Sequence, residues 1–194
     1  MGFFKTRPEL DRPDAQFQIA PFSIAPPEPG KALQVEQEPG MIAVAYLLRP
    51  DSAGSIRITS PDPDAPLDID PNYFATEHDR TTALRVFRGM RRLFATEPLA
   101  DRVERETVPG DAVQTDREII DAGLTTGGCG YHAIATCAMG PHNDDVVDPR
   151  LRVRGVTNLR VVDASVLPVM VSGNLNGPVT AVAWRAADFI VEGA

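Results

Sequence analysis

Few side chains in this 194-residue chain could move protons, electrons or acyl groups, and most of them lie between Gly127 and Ile190. The stretch reads Gly127-Gly128-Cys129-Gly130-Tyr131-His132-Ala133-Ile134-Ala135-Thr136-Cys137-Ala138-Met139-Gly140, then VVDPRLRVRGVTNLRVVDASVLP, then SGNLNGPVTAVAWRAADFI. His132 stands between Tyr131 and a run of small residues. An imidazole titrating near neutral pH can take a proton from an alcohol without prior metal activation, so general base is its functional reading. A structural histidine satisfied by its neighbours is the alternative. His142, in PHNDD, reads as a loop residue, and His78 as solvated in the first turn of a helix.

The helix that begins near Gly177 is a second candidate. Asn176 or Gly177 suits an N-cap, Pro178 suits the first helical position because its missing N–H would be unpaired anyway, and no acidic residue fills the first turn. Free N–H groups at the positive end of a helix favour an oxygen that carries or develops negative charge. Water or a neighbouring loop could satisfy the same groups.

Three other constellations fail on context. Gly128-Cys129-Gly130-Tyr131-His132-Ala133 matches GxGxxA, but Leu124 to Gly127 before it is no buried strand, so it is a poor dinucleotide fingerprint. Ser165 or Ser172 with His132 and Asp163 has neither the GxSxG elbow nor the Ser-Asp-His order of that hydrolase fold. Cys129 and Cys137 have neither CxxC spacing nor that of a disulfide framework, and the histidines form no ligand-spaced cluster with them, so reduced thiols and no metal are expected.

The elements that must position these residues are legible in outline. Gln16–Ile24 (QFQIAPFSI), Met41–Leu48 and Gly54–Thr59 read as strands, the first interrupted by Pro21 and the last alternating as a half-buried strand would; together they predict an antiparallel sheet with one wet face. The proline-rich stretch from Pro26 to Pro39 reads as a loop. A helix is predicted from a capping-box start at Thr76 and Asp79 to about Thr96, with Leu84, Phe87, Met90 and Phe94 as its apolar stripe and its arginines solvated. Thr115 with Glu118 opens a shorter one. Leu159–Val162 reads as a strand ended by the turn Asp163-Ala164-Ser165. The last helix, Pro178–Val191, would bury Val179, Val182, Ala183, Ala186 and Ile190.

With 27 acidic and 19 basic residues the net charge is −8, which opposes binding to nucleic acid or to an anionic membrane surface. No apolar run approaches the roughly 20 residues of a membrane span, and the first residues lack a secretory core. A soluble, cytoplasmic chain is the expectation.

The ordered blocks, Tyr131-His132 with small residues, Met139-Gly140, VVDP, LRVRGV, LRVVDAS and Ser172-Gly173-Asn174, closely resemble the C-terminal signature of the glucose-methanol-choline (GMC) family of FAD-dependent alcohol oxidoreductases, choline dehydrogenase among them. The opening GFFKTRPELDRPDAQFQ is similar to that family's entry into its substrate-domain sheet. The resemblance implies an α+β fold in which residues 1–126 form an antiparallel substrate-binding sheet with flanking helices. Residues 127–194 would supply the active-site loop and complete an FAD-binding α/β domain whose N-terminal half is absent. It implies catalysis by His132 with Asn174, the substrate hydroxyl proton going to His132 while hydride passes to flavin N5. It places Asp163 and Ala164 near the flavin pyrophosphate and Asn176, Gly177 and Pro178 under the pyrimidine edge. A cyanohydrin-type lyase on the same scaffold, or a fragment without flavin, are the alternatives. Ala135 departs from the family's usual glycine, and the strand with GxGxxG is missing, so FAD binding is expected to need that N-terminal half, in cis or in trans.

Overall fold

The computed structural model describes residues 1–25, 32 and 34–193. Half of the proline-rich loop expected from Pro26 to Pro39 falls outside them, though Ile24 and Val35 form an antiparallel bridge. The fold is a small α+β one with two antiparallel sheets and three α-helices among the described residues. The chain divides into two compact units, Met1–Leu48 with Glu77–Thr126, and Arg49–Thr76 with the residues from Gly127 on.

In the first unit, β1 (Gly2–Phe4), β2 (Ala15–Ala20) and β3 (Ile42–Leu47) make an antiparallel sheet in the order β1-β2-β3. Phe17 pairs with Gly2 on one side and with Ala45 on the other. Phe4 and Phe17 bring their rings to 6.0 Å, tilted by 60°. Helix α1 (Glu77–Phe94) packs on β3. It approaches the sheet at Gly89, where a Cβ would sit 3.0 Å from the Phe4 ring. The close approach rotates the helix from its expected setting: Thr82 and Val86 are buried, while Leu84, Phe87, Met90 and Phe94 are only half-buried.

The arginines of α1 are not uniformly solvated either. The Arg91 guanidinium makes a fork to both carboxylate oxygens of Glu106 (2.8 Å each), donates to the carbonyls of Val113 (2.7 Å) and Gly110 (3.3 Å), and stacks 4.4 Å over Phe87. Helix α2 (Asp116–Thr126) starts as the sequence predicts. Glu118 accepts from the N–H groups of Gln114 (3.0 Å) and Thr115 (2.8 Å), and the Thr115 hydroxyl accepts from the Glu118 N–H (3.3 Å).

The second unit corrects two strand expectations. Gly54–Thr59 does not join the first sheet: β4 (Ser55–Arg57) pairs with β5 (Asp68–Asp70) in a separate two-stranded ribbon, exposed throughout rather than half-buried. The turn beyond β5 doubles back so closely that a Cβ at Gly54 would collide with the Asp70 carbonyl, which commits β4 to β5. Leu159–Val162 is not a strand but a segment with one bridge, Arg152 to Arg160. Left-handed Leu151 (φ 64°) and Asn158 (φ 61°) on either side turn the chain too sharply for a longer ladder.

What holds this unit is a core of Val147, Leu151, Val166 and Ala186, all nearly or fully buried, with Met139, Val153, Val161, Val162 and Val182 against it. Helix α3 (Asn176–Val191) contributes Ala186 and Phe189 as its buried residues. Val182 is half-buried, whereas Ala183 and Ile190, expected inside, are exposed. Trp184 and Val191 are exposed as well. Among the described residues, no helix is long and apolar enough to cross a membrane.

Candidate functional site

The His132 loop leaves α2 at Thr126 and is half-buried at His132 itself. Tyr131 before it and Ala135 after it both have left-handed backbone, φ 57° and 68°. That region costs an L-residue roughly 1–2 kcal/mol, and such strain persists only where surrounding structure over-determines it. The anchors are visible. The Tyr131 N–H bonds the Cys129 sulfur at 3.3 Å. Downstream, the N–H of Cys137 donates to the Ser165 carbonyl (3.0 Å) and that of Met139 to the Val166 carbonyl (2.9 Å). The left-handed φ at Ala135 is backbone that glycine would enter without that cost.

Those two rungs attach the His132 loop to the turn at Asp163 and Ala164. Asp163 is extended (φ −154°) and caps the 3₁₀ turn Ala164–Val166, its carboxylate accepting from the Ser165 N–H (2.8 Å) and hydroxyl (2.5 Å). Val166 in that turn is fully buried in the core that α3 also enters through Ala186. One apolar cluster therefore carries the end of the histidine loop, the Asp163 turn and the body of α3.

Asn174 is exposed, two residues ahead of α3. Its segment is tied down by Arg49, whose guanidinium donates to the Ser172 hydroxyl at 2.5 Å. Sequence reasoning missed Arg49, because a lone cation so distant in the chain announces no partner. The expected cap is also corrected: the N-cap is Leu175, already helical at φ −78° and ψ −17° and 5% exposed, without a side-chain cap bond. Burial of the Leu175 side chain starts the helix one residue earlier than a polar cap would, so Asn176, Gly177 and Pro178 form its first turn. Asn176 and Gly177 are exposed, no acidic residue lies in that turn, and a Cβ at Gly177 would meet nothing within 4 Å. The N–H groups at the positive end of such a turn suit an oxygen that carries or develops negative charge.

Cys129 and Cys137 are both free thiols, Cys129 exposed. Burial, and after it the nearby Cys129 thiol, raise the Tyr73 pKa above its ordinary value.

Comparison with known proteins decides the family. Residues 50–183 match the family described as GMC oxidoreductase. This chain belongs to the GMC oxidoreductase family. It is 40% identical over 191 residues to an alcohol dehydrogenase [acceptor] from Pseudomonas putida, covering 98% of this chain and 34% of that protein. It is 39% identical to the mitochondrial choline dehydrogenase of Homo sapiens, covering 97% and 32% respectively. Among solved structures it is similar to pyridoxine 4-oxidase from Mesorbium loti (TM-score 0.80, 26% identity, 96% of this chain and 36% of that one). A second is an FAD-dependent oxidoreductase from Chaetomium thermophilum (TM-score 0.66, 31% identity, 78% and 26%). The GMC relatives are thus oxidoreductases, with alcohol and choline dehydrogenases and FAD-dependent proteins among them, and the chain spans about a third of the length of the curated relatives it matches.

Proposed function

We propose that this chain is the C-terminal, substrate-facing portion of an FAD-dependent oxidoreductase acting on CH–OH donors, with His132 as general base and Asn174 as its polar partner. The observation that supports it is the shared anchorage of the His132 loop, the Asp163 turn and α3 on one buried cluster, at positions carrying the family's signature. In this reading a ring nitrogen of His132 takes the hydroxyl proton of the alcohol. The Asn174 amide holds the alcohol oxygen without competing for that proton, so negative charge on the oxygen is stabilised as it develops.

The first turn of α3, at Asn176, Gly177 and Pro178, would hold the pyrimidine edge of the isoalloxazine, its dipole favouring electron density there. Asp163 and Ala164 would lie near the pyrophosphate, with the Asp163 carboxylate already committed to Ser165 and so serving to shape the turn. FAD, when bound, supplies the hydride acceptor.

The partner in this proposal is the rest of the family fold, in cis or in trans, completing the FAD domain to which residues 127–194 contribute. Helix α3 supports it. A helix that is apolar nearly all round is normally buried on all sides, yet here Trp184 is 75%, Ile190 57% and Val191 87% exposed. The test is to produce the 194-residue chain alone and together with the N-terminal portion of the Pseudomonas putida relative. The pair should retain yellow flavin through gel filtration and bleach it when an alcohol is added without an electron acceptor. Flavin retained by the 194-residue chain alone, or an assembled pair that no alcohol bleaches, would contradict the proposal.

A further inference from the structure

We propose that Arg49 is a positioning residue for Asn174, acting through the Ser172 hydroxyl; the inference rests on the reading of Asn174 as the group that holds the alcohol oxygen. The segment that carries Asn174 runs between two buried residues, Leu167 and Leu175. Among the described residues, 168–173 make no backbone–backbone hydrogen bond. What holds them is the Arg49 guanidinium on the Ser172 hydroxyl, at 2.5 Å. Arg49 is half-buried, Ser172 is exposed, and 123 positions separate them in the chain, so the link is a tertiary tether and not a local turn.

Gly173, between the tether and Asn174, brings no side chain to pack, and a Cβ there would meet nothing within 4 Å. The tether therefore bounds the backbone upstream of Asn174, as buried Leu175 does downstream. A guanidinium donor makes a charge-assisted bond, stronger than a neutral one, which suits it to hold an exposed hydroxyl. Without it the whole span from 168 to 173 is free to drift. An amide displaced by even about 1 Å stabilises the charge developing on the alcohol oxygen less well.

The first readout needs no turnover. In the chain labelled with nitrogen-15 asparagine, relaxation of the Asn174 backbone amide should report greater motion in Arg49→Gln, while Asn72, Asn143 and Asn158 keep their wild-type values. Arg49→Lys, which keeps a charged donor, should lie nearer to wild type. The second readout is flavin reduction in the assembled enzyme at saturating alcohol, with choline and benzyl alcohol as probes. Arg49→Gln and Ser172→Ala should each slow it about tenfold with flavin still bound, and the double variant should be no slower than either single one, since both break the same link. In an Asn174→Ala background, Arg49→Gln should cost nothing further. Asn174 relaxation that matches wild type in Arg49→Gln, or losses from Arg49→Gln and Asn174→Ala that multiply, would overturn the positioning role while leaving the assignment of Asn174 untouched. An Asn174→Ala enzyme that reduces its flavin at the wild-type rate would instead remove the assignment of Asn174, and this inference with it.

Discussion

Ala135 shows how one methyl group can strain a loop. With φ at 68° it occupies backbone that glycine enters freely and alanine does not. Ala135→Gly should therefore stabilise the chain by about 1 kcal/mol, the strain relieved less the extra entropy glycine has when unfolded. The urea midpoint measures it, and a midpoint that falls would show that the loop relaxes in another way. At this scale the sequence was informative about the turn at Asp163, because Asp163-Ala164-Ser165 is a contiguous block. It was silent about Arg49 on Ser172, since that link joins residues whose separation only the folded chain closes. The α3 cap was misjudged for a related reason: capping preferences weigh local hydrogen bonds, whereas Leu175 is placed by burial.

Among the elements, local chemistry was legible and tertiary choice was not. The α2 start follows from Thr115 and Glu118 alone, and the whole bond pattern lies within five residues. The face of α1 was set instead by Gly89 against Phe4, and the partner of β4 by the turn beyond β5. Arg91 is the clearest consequence. Truncating it strands the half-buried Glu106 carboxylate and the carbonyls of Gly110 and Val113, so Arg91→Ala should cost roughly 2 kcal/mol after allowance for solvent screening. Arg91→Lys should recover only part, since an ammonium cannot make the fork. Chemical denaturation of the two variants checks both statements.

Two carboxylates also set an acid limit on these elements. Burial pushes the Asp148 carboxyl up, but the N–H and guanidinium of Arg152 and the N–H of Arg150 outweigh it, so the net shift is downward. Glu118 is lowered by the N–H groups of Thr115 and Gln114. A folded pKa below the unfolded one means the unfolded chain binds protons more readily. Their stabilisation is complete above the ordinary carboxylate range and disappears as pH falls through the lowered folded values. Asp148→Asn and Glu118→Gln should each flatten the acid side of a plot of urea midpoint against pH; an unchanged slope in both would contradict the assignment.

For the whole molecule, the surface makes the demand. Trp184 is the chain's one tryptophan and stands exposed on α3, as do Ile190 and Val191. Its fluorescence should be freely quenched by acrylamide in the isolated chain and shielded, with blue-shifted emission, once the rest of the family fold is supplied. Ile190→Asp should block that shift by placing a charge in the contact. The lack of a glycine-rich strand agrees with a chain that spans about a third of its relatives' length, but the sequence assigned Ile190 and Ala183 to the inner stripe, where the structure exposes them. An apolar periodicity cannot say which of two apolar faces a helix shows its own core. The central claim remains that His132 takes the proton. Rapid-mixing measurement of flavin reduction by alcohol in the assembled enzyme, wild type against His132→Ala, tests it most directly. The account predicts a fall in the reduction rate of roughly 10²-fold or more with flavin still bound, whereas a fall below about tenfold would contradict it.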